Sequence, residues 1–342
     1  MVSGTEAAGG MISATGNRRG AVDSVQGSQV TGVVQETDSA SPAERLRAHV
    51  ALTKPRIVEL LLATAVPTMF LAAQGLPPLL PTVGVLIGGS LAAGSANTFN
   101  SVYDRDIDAL MGRTFHRPAA LGLVSVRAGI AQGVVLGILS ALVLLITSNL
   151  LAAVLAVAAI AFYAIGYTML LKRRTAQNIV WGGAAGCMPV LIAWAAVTGT
   201  LTWTPVVLFL LVFFWTPPHY WPLAMRFRDD YAAAGVPMLP VVRSEAQVAA
   251  SIIRYAWVMV AVSLVLIPVA PMGWVYGIGA VLLGAGFIAQ SYVLRSRVRS
   301  AESAHQEQGS TEVVASAMRL FHGSITYLAL LFLLVAIDPF VV

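Results

Sequence analysis

From Ile57 onward the 342-residue chain is a succession of apolar stretches, each close to the ~20 residues a helix needs to cross a bilayer. They fall at 57–75, 79–99, 128–147, 150–171, 179–198, 204–224, 252–268, 274–294 and 322–341. Inside hydrocarbon no water satisfies backbone N–H and C=O groups, so a spanning segment is either a helix or part of a closed barrel. The alternation of a barrel strand is missing from these stretches, which leaves an all-α polytopic membrane protein with nine transmembrane helices. Composition supports this: 57% of residues are hydrophobic and 11% are charged, whereas a soluble domain carries about 25% charged residues. A soluble enzyme is excluded, and so is a nucleic-acid binder, despite the net charge of +5. The single cysteine, Cys187, excludes a disulfide framework or a Cys-rich metal site and reads as a core residue.

The charges orient the helices. All 21 Lys and Arg lie before the first apolar stretch or near the connections after the second, fourth, sixth and eighth. The other connections have none. By the positive-inside rule the N-terminus is cytoplasmic and the C-terminus lies across the membrane. Trp203 and Trp274 fall in the uncharged turns, where interfacial anchors belong. Residues 1–50 lack any sustained apolar run and read as a disordered cytoplasmic tail, leaving 51–342 as the membrane domain.

Two polar clusters follow apolar helices directly. In the first, Asn100, Asp104 and Asp108 are spaced i, i+4, i+8, which places all three on one helical face. Two carboxylates held together repel unless a cation lies between them, and hard oxygen ligands in this arrangement favour Mg²⁺. An exposed helix end with acids paired to Arg105 and Arg113 would look similar. The preceding apolar helix instead marks the mouth of a membrane cavity, where ionisable groups signal a site. Arg113, Arg117, Lys172, Arg173, Arg174, Arg226 and Arg228 approach the same face. Acids, a metal, many cations and an apolar interior together describe a pocket for a polyanion with an apolar tail, such as a prenyl diphosphate. The second cluster runs Pro217-Pro218-His219-Tyr220-Trp221, then Arg226-Phe227-Arg228-Asp229-Asp230-Tyr231. Asp229 and Asp230 are adjacent, so on a regular helix they diverge by about 100° and cannot both face one ion.

Five blocks of this sequence resemble the UbiA superfamily of membrane prenyltransferases. They are Leu52-Thr-Lys54-Pro55-Arg56; Asn100 through Asp104, Asp108, Arg113 and Arg117 to Pro118; Leu171-Lys172-Arg173-Arg174-Thr175-x-Gln177-Asn178-Ile179; Pro217-Pro218-His219-x-Trp221; and Asp229-Asp230-Tyr231-x2-Ala234-Gly235-x-Pro237-Met238-Leu239-Pro240. The last two are similar to the branch that farnesylates heme. The resemblance implies a central cavity opening to the cytoplasmic side and an enzyme of the bacterial cell membrane. It implies Mg²⁺ on Asp104 and Asp108, helped by Asp229 or Asp230, with Asn100 beside them. Arg113, Arg117, Lys172, Arg173, Arg226, Arg228 and Tyr231 would bind the substrates, farnesyl diphosphate and heme B. Transfer to a heme vinyl group, followed by water addition, would give heme O. A downstream heme-modifying or oxidase-assembly membrane protein would then receive it.

Imidazole is a common axial ligand of heme iron, so His219 is a candidate to hold or position the heme, with His322 a weaker one. His116, within the arginine block, suits phosphate or water. Two other readings stay open. One keeps the fold with an aromatic acceptor, such as a quinone precursor or a chlorophyll-like ring. The other is a heme-binding or transport membrane protein without catalysis, which gives no reason for the Asp104/Asp108 pair.

Overall fold

A computed structural model describes residues 41–306 and 308–341, apart from the side chain of Ile57. The expected disordered tail therefore lies outside the described residues up to residue 40. From Pro42 the chain is helical, contrary to that expectation. Helix α1 (Pro42–Leu52) starts at a capping box in which Ser41 Oγ accepts from Glu44 N–H and the Glu44 carboxylate accepts from Ser41 N–H.

The apolar stretches form α2 (Pro55–Ala73), α3 (Leu79–Tyr103), a short α4 (Arg105–Leu110), α5 (Val126–Thr147) and α6 (Leu150–Ala161). Helix α6 continues as a wide π-helix over Phe162–Leu171. Then come α7 (Asn178–Thr198), α8 (Trp203–Arg226), the short α9 (Arg228–Ala233) and α10 (Leu239–Val242), α11 (Glu245–Val269), α12 (Trp274–Ser303) and α13 (Thr311–Ile337). Among the described residues eight helices are long and apolar enough to cross a membrane. The ninth expected span is α2, whose described apolar part, Val58–Ala73, is shorter. The protein is thus a multi-pass, all-helical membrane protein.

Neighbours along the chain pack side by side: α3 on α5, α5 on α6, α6 on α7, α7 on α8, α8 on α11, α11 on α12 and α12 on α13, which returns to α2. Helices α11, α12 and α13 run further than their apolar stretches. The charged turns stay helical outside the apolar zone, and Arg297 of α12 meets Glu312 of α13 there at 3.1 Å. Trp203 and Trp274 are exposed at the opposite end of the bundle, at the starts of α8 and α12.

Without water to drive burial, membrane helices associate by close packing over small residues. The α3–α5 contact depends on this. A Cβ on Gly133 would lie 2.8 Å from the Phe99 ring, and one on Gly129 would collide with Val102, two residues before Asp104. Gly129→Ala is therefore expected to overpack the contact and lower stability by about 1–3 kcal/mol. Thermal unfolding in detergent checks this, and an unchanged midpoint would contradict it.

Candidate active site

Helix α3 ends at Tyr103, and Asp104 turns the chain into α4. Helical hydrogen bonds nevertheless bridge the break, from Asp104 N–H to Asn100 C=O (2.9 Å) and from Asp108 N–H to Asp104 C=O (2.8 Å). The four-residue spacing therefore keeps its meaning. Asn100, Asp104 and Asp108 are all buried, at 3%, 0% and 2% exposure. Asn100 Nδ2 donates to Asp104 Oδ2 at 2.7 Å.

Buried carboxylates need partners, and cations from several elements supply them. Lys172 Nζ donates to Asp104 Oδ2. Arg117 Nη1 donates to both oxygens of Asp108, at 2.8 and 3.0 Å. Outside the buried group, Arg173 makes two 2.7 Å bonds to the exposed Asp106, which hold that carboxyl below the usual carboxylate range. Arg113 donates to Tyr231 Oη at 3.1 Å and lies over the rings of Phe227 and Tyr231. Burial pushes the Tyr231 phenol up, so it stays protonated at neutral pH, and it pairs with Tyr220 Oη at 3.0 Å.

The π-helix explains how Lys172 arrives. Its wider turn puts Tyr163, Thr168 and Lys172 along one side: Thr168 Oγ1 donates to Tyr163 C=O (2.8 Å), and Lys172 N–H reaches back five residues to Tyr167 C=O. Thr168 also accepts from Asn100 Nδ2 at 3.1 Å. Wide turns of this kind occur often at functional sites. Lys54, between α1 and α2, contributes another cation, with Nζ 2.6 Å from Asn100 Oδ1. Burial first, and then the charges of Arg117 and Lys172, lower its pKa to about 7.

Below this polar group lies an apolar cavity of about 140 Å³ between α2, α3, α6 and α7. Val58, Leu61, Ala92 and Ile160 line it, and Asn97 and Tyr163 tie it to the polar group above.

One atom tests whether a metal suits the site. Asp104 Oδ1 is buried without a hydrogen-bond partner, its closest cation, Arg173 Nη2, standing at 3.6 Å. A buried anionic oxygen without a hydrogen bond is a hard donor that suits a hard cation. Among the described residues no group of three or more His, Cys, Asp or Glu gathers around one point. A Mg²⁺ here would complete its shell with substrate oxygens and water, as this ion commonly does.

The second acidic pair divides. Asp229 is fully exposed, with Arg228 4.0 Å away. Asp230 turns inward, its carboxylate 3.6 Å from where a Cβ on Gly112 would stand, in the loop that carries Arg113 and Arg117. Arg226 is exposed and lies against Phe227, while Arg228 donates to Pro240 C=O at 3.0 Å, so neither contacts the buried acids.

The histidines sit apart from the group. His219 stacks on Trp215 at 4.1 Å and on Phe321 at 4.7 Å, and its Nδ1 meets Ser324 Oγ at 2.7 Å. Two rings so close and so nearly parallel to the imidazole cannot share one face, so both faces are covered. His219 thus joins α8 to α13, and only its edge is left for a ligand. His322 is exposed and bonds Met318 C=O, and His116 is exposed beside Phe115. Cys187 is a buried core residue whose Sγ–H donates to Gly183 C=O. Lys54, Thr168, Tyr163 and Tyr220 are site residues that the spacing argument missed. Lys54 carried a sequence signal within Leu-Thr-Lys-Pro-Arg, and Tyr220 lay inside the second polar cluster.

Buried acids beneath a set of cations, at the mouth of an apolar cavity in a membrane helix bundle, define a membrane prenyltransferase. The model of the UbiA prenyltransferase family matches residues 61–307, and the chain belongs to that family. Relatives described as protoheme IX farnesyltransferase include one from Streptomyces avermitilis, 52% identical over 86% of this chain and 94% of its own length. Another, from Nocardioides sp., is 54% identical over 88% of this chain and 94% of its own. The fold also matches solved structures. One, described as digeranylgeranylglyceryl phosphate synthase in membranes, has TM-score 0.69 at 16% identity and covers 87% of this chain and 100% of its own. A UbiA homolog from Archaeoglobus fulgidus bound to DMAPP and Mg²⁺ has TM-score 0.58 at 16% identity, covering 83% and 98%.

Proposed function

We propose that this protein transfers the farnesyl group of farnesyl diphosphate to a vinyl group of heme B and adds water, forming heme O and diphosphate. The observation that carries the donor is the buried Asp104/Asp108 pair beneath Lys172 and Arg117, at the mouth of an apolar cavity. Relatives about half identical over most of their length, described as protoheme IX farnesyltransferase, support the acceptor.

Asp104 and Asp108 would hold Mg²⁺, which supplies Lewis-acid charge to the diphosphate when bound, and Asp230, beside the loop that carries Arg113 and Arg117, would serve the metal only once the diphosphate has entered. Lys172 and Arg117 neutralise the two acids in the ligand-free protein. Both would turn to the diphosphate as charge grows on its leaving oxygen, which is the moment when fixed cations accelerate a reaction most. Arg113 is held over Phe227 and Tyr231, with Tyr231 a protonated donor at the same rim. The apolar cavity would receive the inner part of the farnesyl tail, and its walls would keep water from the allylic cation until the vinyl carbon has attacked. The new carbon–carbon bond leaves a cation on the heme side chain. Water adds there and releases a proton.

The arginine-rich end of the bundle faces the cytoplasm, with the N-terminus on that side of a bacterial cell membrane. The product is an apolar tetrapyrrole within the bilayer, suited to hand-over to a membrane protein that modifies heme or assembles an oxidase. Acceptor choice is tested by offering membranes farnesyl diphosphate and Mg²⁺ with heme B or with an aromatic quinone precursor. Diphosphate release that depends on heme B is expected. Release that depends only on the aromatic compound would move the acceptor to the other branch.

A further inference from the structure

Lys54 occupies the sharp corner between α1 and α2 with φ 52° and ψ 63°, a left-handed backbone. A Cβ disfavours that region, and the following Pro55 presses its predecessor toward extended conformations. Strain of this kind persists only where the surroundings over-determine it, and here they do. On one face of α3, Ser101 Oγ donates to Leu52 C=O at 3.4 Å and Asn97 Nδ2 donates to Thr53 C=O at 3.2 Å. One turn along, Asn100 Oδ1 accepts from Lys54 Nζ at 2.6 Å. Leu52 is buried under the corner, and His49 and Gln132 exchange two bonds that pin α1 to α5.

What this corner achieves is the placement of an ammonium. The fold gains nothing from the charge itself. Its hydrogen-bond acceptor is a neutral amide oxygen, and like charges on Arg117 and Lys172 face it. Asp104 and Asp108 also act on it, but those acids are already held by Lys172 and Arg117. A buried cation in such company is worse for folding than an apolar side chain of the same length. It is balanced only when further negative charge enters.

We propose that Lys54 is a diphosphate-binding residue. Its ammonium contacts the diphosphate of the prenyl donor from the α1–α2 corner, complementing Lys172 from the α6–α7 turn and Arg117 from the loop before α5. The left-handed backbone serves that delivery. This rests on the site reading given under the proposed function.

Three variants of the full-length protein test it. Lys54→Asn and Lys54→Gly remove the ammonium and adopt positive φ more readily than lysine; Lys54→Arg keeps the charge. Binding of inorganic diphosphate with Mg²⁺ is measured by calorimetry in detergent, beside the thermal midpoint of the ligand-free protein. The Asn and Gly variants are expected to bind about 10–100-fold more weakly, with midpoints near wild type, because relief of the left-handed lysine offsets the lost Asn100 bond. The Arg variant should bind more tightly than either. Wild-type affinity in the Asn and Gly variants would overturn the proposal. So would a loss of binding accompanied by a fall in midpoint, which marks a structural role. Wild-type protein that binds diphosphate yet makes no farnesylated heme would refute the acceptor and leave Lys54 standing. Wild-type protein that binds no diphosphate would overturn both.

Discussion

Asp104→Ala and Asp108→Ala are each expected to abolish turnover, by at least about a thousandfold, while the protein still inserts in the membrane. Asp104 has no exposed surface, and its Oδ2 is shared by Asn100 and Lys172 while Oδ1 has no hydrogen bond and only a loose ion pair to Arg173. Alanine removes both oxygens and leaves Lys172 facing no acid, so part of its effect could arise in folding. Asp104→Asn narrows this, since it keeps the shape and one oxygen acceptor and loses only the negative charge. Turnover should be lost in the Asn variant too, with a midpoint above that of the Ala variant though below wild type, because Lys172 still loses its carboxylate. Steady-state diphosphate release in reconstituted membranes checks this. Retained turnover in either Asp104 variant would remove the argument for a metal site.

The second large effect is a contrast between neighbours. Asp230→Ala should lower kcat/KM by about a hundredfold or more, whereas Asp229→Ala should change it by no more than about threefold. Asp229 lies wholly in solvent, with only a loose ion pair to Arg228, and exposed pairs of that kind contribute little. Asp230 faces Gly112, in the loop that presents Arg113 and Arg117 to the acids of α3 and α4. Kinetics of the two variants at equal expression decide the matter. Equal losses would mean that both acids serve the site, and a larger loss at Asp229 would reverse the assignment.

Much of this architecture was legible in the sequence because membrane insertion is a strong constraint. Apolar length determined the spans, and the segregation of Lys and Arg placed every cluster at one end of the bundle. Asn100, Asp104 and Asp108 were legible because helical spacing survives the turn at Asp104, where backbone bonds continue across the break. What stayed hidden depends on contacts distant in sequence. Nothing in Phe162–Leu171 announces a π-helix, since it continues the apolar stretch of the α-helix before it. Yet that wider turn aligns Thr168 and Lys172 with Asn100 and Asp104. The left-handed corner at Lys54 is imposed by Asn97 and Ser101, more than forty residues away. His219 drew attention as an imidazole beside prolines, but Trp215, Phe321 and Ser324 use it to join α8 to α13. A residue's chemistry was readable from its type, whereas its employment required knowing which helix lay opposite.

The central claim is tested most directly by weighing the product. Membranes containing the protein are incubated with heme B, farnesyl diphosphate and Mg²⁺, and the extracted hemes are analysed by mass spectrometry. The expected result is a new heme heavier by one farnesyl group plus one hydroxyl group, absent when Asp104→Asn replaces the wild type. Recovery of heme B alone from active membranes, with farnesyl diphosphate consumed on another acceptor, would contradict the account.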